Sequence, residues 1–118
     1  MLRKEVNNSP IPWLSFIAAG FKTYEGRLAN KIAEWSLHVG KRMVFYCEDL
    51  EVSVVITKLR VYNSFGHAFN QLGSKLVPIH NITTPQVEGL YRQYFSDVDV
   101  LEQGVVAIKV DVISIRQI

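Results

Sequence analysis

A cluster of charged side chains in residues 20–27 is the part of the sequence best suited to chemistry. The segment reads Gly-Phe-Lys-Thr-Tyr-Glu-Gly-Arg and contains Lys22, Glu25 and Arg27. Arginine offers a planar pair of donors, lysine a point charge and glutamate an acceptor for amino groups, so the three can bind a phosphate or the edge of a nucleobase. The alternative is that Glu25 and Arg27 form an ion pair that only orients a strand.

Lys22 and Glu25 are also candidate catalytic residues. Burial and the neighbouring Arg27 would lower the pKa of the Lys22 amine, which can then accept a proton while Glu25 acts as the acid or positions a water molecule. Such a pair predicts a hydrolase, or a metal-assisted ribonuclease. The residues do not require catalysis, so binding and catalysis stay open as alternatives.

Thr23 and Tyr24 complete the candidate ligand-binding set, and Tyr24 is the aromatic residue within it. A nucleobase stacked on an aromatic ring gains roughly 1–3 kcal/mol. Strand alternation places Tyr24 on the face opposite Glu25, so packing in the core is an equally good interpretation. Trp13 lies in the apolar stripe of a predicted helix and is expected in the core, whereas Trp35 lies in a polar context that favours neither role.

The other polar residues carry weaker signals. Arg42, Lys58 and Arg60 fall on neighbouring predicted strands and can form a phosphate-tracking stripe, although a solvated surface is the default for each. The three histidines lack zinc-like spacing, so neither a metal site nor a cofactor is predicted. The one cysteine, Cys47, has apolar neighbours, which indicates a buried thiol in a reducing compartment.

The elements that must position these residues follow a mixed order. An apolar stripe from Trp13 predicts a short helix that ends at Gly20, and Lys22 to Arg27 reads as a strand. The remaining predicted elements are a strand over 42–47, a long curved strand over 51–62, a helix capped by Ser64, a helix from Thr84-Pro85 and a last strand over 104–115. These elements predict an α+β fold whose curved sheet closes into a small β-barrel with short helices.

Length and composition indicate one intracellular domain. The 118 residues are 48% hydrophobic and 20% charged with a net charge of +2, as in a globular protein, and leave no room for a second domain. Residues 1–9 are expected to be a flexible lead without signal-peptide character, and no run of residues is apolar enough for a membrane span. A cytoplasmic location and no membrane partner are therefore expected.

The segment from Gly20 to Arg27 resembles the signature of the ASCH family, which has the PUA-like superfold and typically shows Gly-x-Lys-Thr-x-Glu-x-Arg after a short helix. The resemblance extends to residues 38–41, 62–65 and 104–108, in the family's order. Lys41 departs from the pattern, because the family usually has aspartate there. The resemblance implies a PUA-like barrel whose cleft is lined by the Lys-Thr-x-Glu-x-Arg segment.

The resemblance also implies RNA, a nucleotide or a nucleoside as the partner. Some small members of the family hydrolyse N4-acetylcytidine with a lysine, a threonine hydroxyl and a downstream carboxylate. Lys22 matches the lysine, but Glu25 occupies the threonine position, and residues 71–86 contain no acidic side chain for the carboxylate. An RNA- or nucleotide-binding domain is therefore the leading expectation, with a hydrolase of modified nucleosides or RNA as the alternative.

Overall fold

The computed structural model describes residues 1–118 as an α+β fold built on a five-stranded mixed sheet. The helices and strands follow in chain order as β1 (Leu2–Glu5), α1 (Trp13–Ala19), β2 (Tyr24–Leu28), α2 (Lys31–Glu34), β3 (Arg42–Tyr46), β4 (Leu50–Tyr62), α3 (Phe65–Leu72), a 3-10 helix (Gly73–Lys75), α4 (Thr84–Tyr91), α5 (Asp97–Gln103) and β5 (Val105–Gln117). The predicted α+β class is confirmed.

The strands lie in the order β1-β3-β4-β5-β2. β1 runs parallel to β3, and the other neighbouring pairs are antiparallel. No ladder joins β1 to β2, so the predicted closure into a barrel is wrong. The two edge strands have only four and five residues, and side chains line the gap between them, which no strand ladder closes.

β4 shows how the hydrophobic pattern produces the core. Val52, Val54 and Ile56 alternate inward and are at most 1% exposed. The register of β4 with β5 shifts beside Ile56, and a β-bulge at such a position bends a strand. Helix α1 packs on β4, and α3 packs on both β4 and α4.

Local capping signals act as expected in the second half of the chain. The Ser64 side chain accepts a hydrogen bond from the backbone N–H of His67 at 3.0 Å and begins α3. α4 starts at Thr84, as predicted, and the preceding residue Thr83 caps it through a capping box with Gln86. Helix α5 was not predicted, although Ser96 caps it and two acidic residues fill its first turn.

The amino-terminal segment contradicts the prediction of a flexible lead. Residues 2–5 form β1, and the backbone N–H of Val6 donates to the carbonyl of Tyr46 at 2.9 Å. The side chain of Val6 is 3% exposed. The segment adds its backbone to the sheet, where parallel pairing with β3 satisfies hydrogen bonds that a free lead would leave to water.

Candidate functional site

A cavity of about 250 Å³ lies in the gap between the two edge strands. Its walls come from the end of β1, the start of α1, the segment that leads into β2, β2 itself, and the end of α4 with the turn that follows. Its lining includes the side chains of Asn7, Trp13, Lys22, Glu25, Arg27, Tyr91, Tyr94 and Phe95. The three charged residues of the sequence motif thus meet in one concave site.

Lys22 lies at the inner end of this cavity and is 1% exposed. Its Nζ donates to the backbone carbonyl of Leu76 at 2.5 Å and lies 3.8 Å from Oε1 of Glu25. Burial lowers the pKa of Lys22 to about 8; Glu25 opposes this shift and Arg27 adds to it. The amine can therefore lose its proton at mildly alkaline pH.

The position of Lys22 depends on the turn that ends α1. Gly20 adopts the left-handed conformation with φ of 83°, and its N–H donates to the carbonyl of Ile17. Lys22 follows in this turn, so it precedes β2, which starts at Tyr24 and not at Lys22 as predicted. Because Lys22 is outside the strand, alternation does not turn it away from Glu25, and both reach the cavity.

Glu25 and Arg27 share one face of β2 and form a close ion pair. Oε2 of Glu25 accepts hydrogen bonds from Nε and Nη2 of Arg27 at 3.2 and 3.0 Å. Nη2 of Arg27 also donates to the backbone carbonyl of Glu5 at 2.7 Å, across the gap to β1. Glu25 therefore lies between two cations, and the three side chains together carry one positive charge when Lys22 is protonated.

Trp35, which the sequence left open, packs beside this charged group. The Arg27 guanidinium lies 5.5 Å from the ring centroid, and the amines of Lys4 and Lys31 lie 4.5 and 5.4 Å from it. Trp35 is half-buried and does not line the cavity. It supports Arg27 from the outer side by cation–π contact.

Aromatic rings line the cavity together with the charges, and the Lys22 amine lies 5.3 Å from the centroid of the Trp13 ring. Tyr91 stacks on Phe65 with ring centroids 3.9 Å apart, and its ring is also stacked with Trp13 at 6.4 Å. Burial raises the pKa of the Tyr91 phenol, and the nearby Glu25 adds to this effect. Trp13 is buried, as its helical stripe predicted, and at the same time lines the cavity.

Tyr94 is the aromatic residue most accessible to a ligand. Its side chain is 45% exposed, and its hydroxyl accepts a hydrogen bond from Nδ2 of Asn7 at 3.2 Å. Sequence reasoning missed Asn7, Tyr94 and Phe95 as site residues. α4 ends at Tyr91, and Tyr94 lies in the turn that follows. The available signal was the helix-like spacing of Leu90, Tyr91 and Tyr94, which is also typical of a helix face packed in the core.

Thr23 and Tyr24 do not line the cavity, contrary to their prediction as ligand-binding residues. Tyr24 is 4% exposed and belongs to the core, on the strand face opposite Glu25. The Thr23 hydroxyl is buried without a hydrogen-bond partner. Stacking on Tyr24 is therefore excluded by its packing, while the core alternative for this residue is confirmed.

The remaining candidates lie elsewhere. Arg42, Lys58 and Arg60 are exposed on the adjacent strands β3 and β4, outside the cavity, so a phosphate-tracking stripe stays a prediction. No group of three or more His, Cys, Asp or Glu side chains is placed to share a metal ion. Cys47 is half-buried and its thiol donates to Asp49 at 3.3 Å, so it is less enclosed than predicted.

Comparisons with known proteins show the fold. No protein-family model matches the chain, and no curated protein matches it in sequence. None of its helices has the length and apolar character needed to cross a membrane.

The solved structure of the hypothetical protein PH0355 is similar, with a TM-score of 0.81 and 24% identity over 95% of this chain and 98% of that one. The solution structure of protein PF0455 from Pyrococcus furiosus has a TM-score of 0.74 and 22% identity over 96% and 97% of the two chains, so the chain shares the fold of these two proteins along nearly its whole length.

Proposed function

We propose that this chain is an ASCH-type domain of the PUA-like class and that it binds RNA or a nucleotide in the cavity between β1 and β2. The observation that carries the proposal is the convergence of Lys22, Glu25 and Arg27 in one cavity that aromatic side chains also line. The Gly-x-Lys-Thr-x-Glu-x-Arg signature, directly after a short helix, supports the relation to the ASCH family.

The dimensions of the cavity favour one base or nucleoside as the group that enters it. Pockets for drug-sized ligands have volumes of about 300–1,000 Å³, and this cavity, at about 250 Å³, is smaller. A flat base can insert beside the exposed ring of Tyr94 and reach the charged side chains, because an aromatic ring provides a stacking surface for any base. A longer RNA would then present one unstacked base, as single-stranded RNA allows.

The polar wall can recognise both parts of a nucleotide. Glu25 directs Oε1 away from Arg27, so this oxygen can accept a hydrogen bond from an exocyclic amino group. The Nη1 group of Arg27 has no partner within the protein and can donate to a phosphate. One net positive charge on the three side chains matches one phosphodiester group.

Titration with short single-stranded RNA and with nucleoside monophosphates, followed by NMR or calorimetry, tests the proposal. We expect Arg27→Ala to weaken RNA binding about tenfold or more and to reduce its dependence on salt, because a phosphate contact is lost. Tyr94→Ala should weaken binding by about 1–3 kcal/mol through loss of stacking. Lys75→Ala is the matched control, since Lys75 is exposed, lies outside the cavity and is not part of the predicted Arg42, Lys58 and Arg60 stripe. Equal effects of Arg27→Ala and Lys75→Ala, or no binding at millimolar concentrations, would refute the proposal.

Hydrolysis of a modified nucleoside or of RNA is the second candidate, and the low pKa of Lys22 favours it. An amine with a pKa of about 8 can act as a general base for a water molecule, while Glu25 positions that water or supplies a proton. The cavity contains no threonine or serine hydroxyl, so water is the nucleophile this mechanism requires. Turnover of N4-acetylcytidine or labelled RNA that rises through about pH 8 and is abolished by Lys22→Met would support it. Binding without turnover at any pH between about 6 and 9.5 would exclude it and leave the binding proposal intact.

A further inference from the structure

The outer half of β5 is a long strand edge without a neighbour. Strand β2 pairs with β5 only from Val105 to Lys109, and the last backbone hydrogen bond on that side joins Val110 to Thr23. From Asp111 to Gln117, β5 pairs with β4 on one side and with no strand on the other. The unpaired backbone groups of such an edge can hydrogen-bond to another strand.

Apolar side chains accompany this open edge. Val112, Ile113 and Ile115 are 37%, 46% and 52% exposed. β-branched residues are suited to pairing with a further strand, and exposed apolar edges of this length are usually covered in stable proteins. Both the backbone and the side chains of the segment therefore favour a strand partner.

A bulge at Ile113 decides which side chains at the two ends of the segment share a face of the sheet. Val112 lies opposite Val54 and Ser114 lies opposite Ser53, so Ile113 is an extra residue in the ladder. Beyond the bulge, Ile115 lies opposite Val52 and shares the core-facing side of the sheet with Val112. The extra residue also places Asp111 and Arg116 together on the opposite face of the sheet, away from the core.

We propose that two copies of this chain associate by antiparallel pairing of their Asp111–Arg116 edges around a two-fold axis at the bulge. In this arrangement Asp111 of each copy lies opposite Arg116 of the other, and Val112 lies opposite Ile115. The dimer has two ion pairs on one face and two apolar pairs on the other. The five-stranded sheets of the two copies become one continuous sheet.

The charge pattern favours a second copy over an unrelated strand. Asp111 makes no ion pair within the chain, and Arg116 is 76% exposed with a distant carboxylate of Glu51 at 4.0 Å. If the partner strand were shifted by one residue along the edge, its charged side chains would lie on the apolar face of the first copy. The alternation of charged and apolar residues therefore specifies one register of pairing. The small net charge of +2 allows two copies to approach without strong repulsion.

Charge exchange at the edge tests this dimer. Sedimentation equilibrium or light scattering between about 10 µM and 1 mM should show the wild-type chain passing from monomer to dimer, as expected for a small interface. Asp111→Arg and Arg116→Asp should each raise the dissociation constant about tenfold or more, because like charges then face each other. The double variant D111R/R116D should return the dissociation constant to within about threefold of the wild-type value, since it exchanges the two members of each pair.

Glu102→Arg is the matched control, because it changes the charge of an exposed residue on α5 away from the edge. Far-ultraviolet circular dichroism establishes that each variant is folded. The proposal is overturned if the wild-type chain stays monomeric at about 1 mM, a concentration that reveals weak association. It is equally overturned if folded single variants dimerise like the wild type, if the folded double variant does not recover, or if Glu102→Arg weakens association as much as Asp111→Arg.

Discussion

Replacing Lys22 by methionine should change how the stability of this protein depends on pH. Lys22 has a pKa of about 8 in the folded chain against an ordinary value of 10.5, mainly because it is buried. Between these two pKa values the unfolded chain binds more protons than the folded chain, so the Lys22 contribution makes the free energy of unfolding rise with pH. Below about pH 8 both states hold the proton, and the full penalty of burying the charge is present.

The size of this effect follows from the two pKa values. Each pKa unit corresponds to about 1.4 kcal/mol, so protonated Lys22 destabilises the folded state by about 3 kcal/mol at neutral pH. Between about pH 7 and pH 9.5 the penalty falls by about 2 kcal/mol. Methionine has a similar length and no charge, so the Lys22→Met variant lacks this part of the pH dependence.

Urea denaturation of the wild type and of Lys22→Met at several pH values between about 7 and 9.5 measures the difference. We expect the wild type to gain about 2 kcal/mol relative to the variant over this range. Other titrating groups are present in both proteins and cancel in the comparison. Lys75→Met is the matched control, because Lys75 is exposed and lies next to Leu76, the residue whose carbonyl accepts the Lys22 hydrogen bond.

Parallel stability profiles would refute the reasoning. If the wild type and Lys22→Met differ by a constant amount to within about 0.5 kcal/mol, Lys22 keeps an ordinary pKa in the folded chain. The desolvation argument, and with it the general-base role, would then fail. A direct NMR titration of the carbon next to the Lys22 amine gives the same answer independently.

Three further substitutions test the packing around the site. Gly26→Ala would place a Cβ atom 3.1 Å from Phe65 and 3.3 Å from the Tyr91 hydroxyl, and it should lower the free energy of unfolding by about 1–3 kcal/mol, measured by urea denaturation. Thr23→Val removes a buried hydroxyl that has no partner; it should raise this free energy by about 1 kcal/mol and leave nucleotide binding unchanged in calorimetry. Ser64→Ala removes the α3 cap and should cost about 1 kcal/mol in the same denaturation experiment.

Matched variants separate these effects from general sensitivity to mutation. Gly89→Ala adds a Cβ with no atom within 4 Å inside α4, so it should stabilise by up to about 1 kcal/mol, opposite to Gly26→Ala. Thr57→Val removes a hydroxyl that donates to the carbonyl of Lys109, so it should destabilise where Thr23→Val does not. Stabilisation by Gly26→Ala, loss of nucleotide binding in Thr23→Val, or an unchanged stability of Ser64→Ala would each contradict the contacts described.

The long strands and the helix caps were predictable because their causes are local. Alternation of Val52, Val54 and Ile56 defines the buried face of β4 within five residues of sequence, and Ser64 begins α3 through a hydrogen bond to His67, three residues along the chain. The charged part of the candidate site was predictable for the same reason. Lys22, Glu25 and Arg27 are close in sequence, and their side-chain chemistry is evident without a fold.

The tertiary structure alone decided which surfaces meet these charges. Asn7 and Tyr94 contact each other across 87 positions of sequence, and no local pattern carries that information. Tertiary packing also buried Lys22 and Tyr24, recruited residues 2–5 into the sheet and left β1 and β2 apart. Helix caps and hydrophobic alternation act over a few residues, so the sequence by itself specified the charged groups. A cavity forms where segments distant in sequence do not pack against each other, so only the assembled sheet determined the space that these groups share.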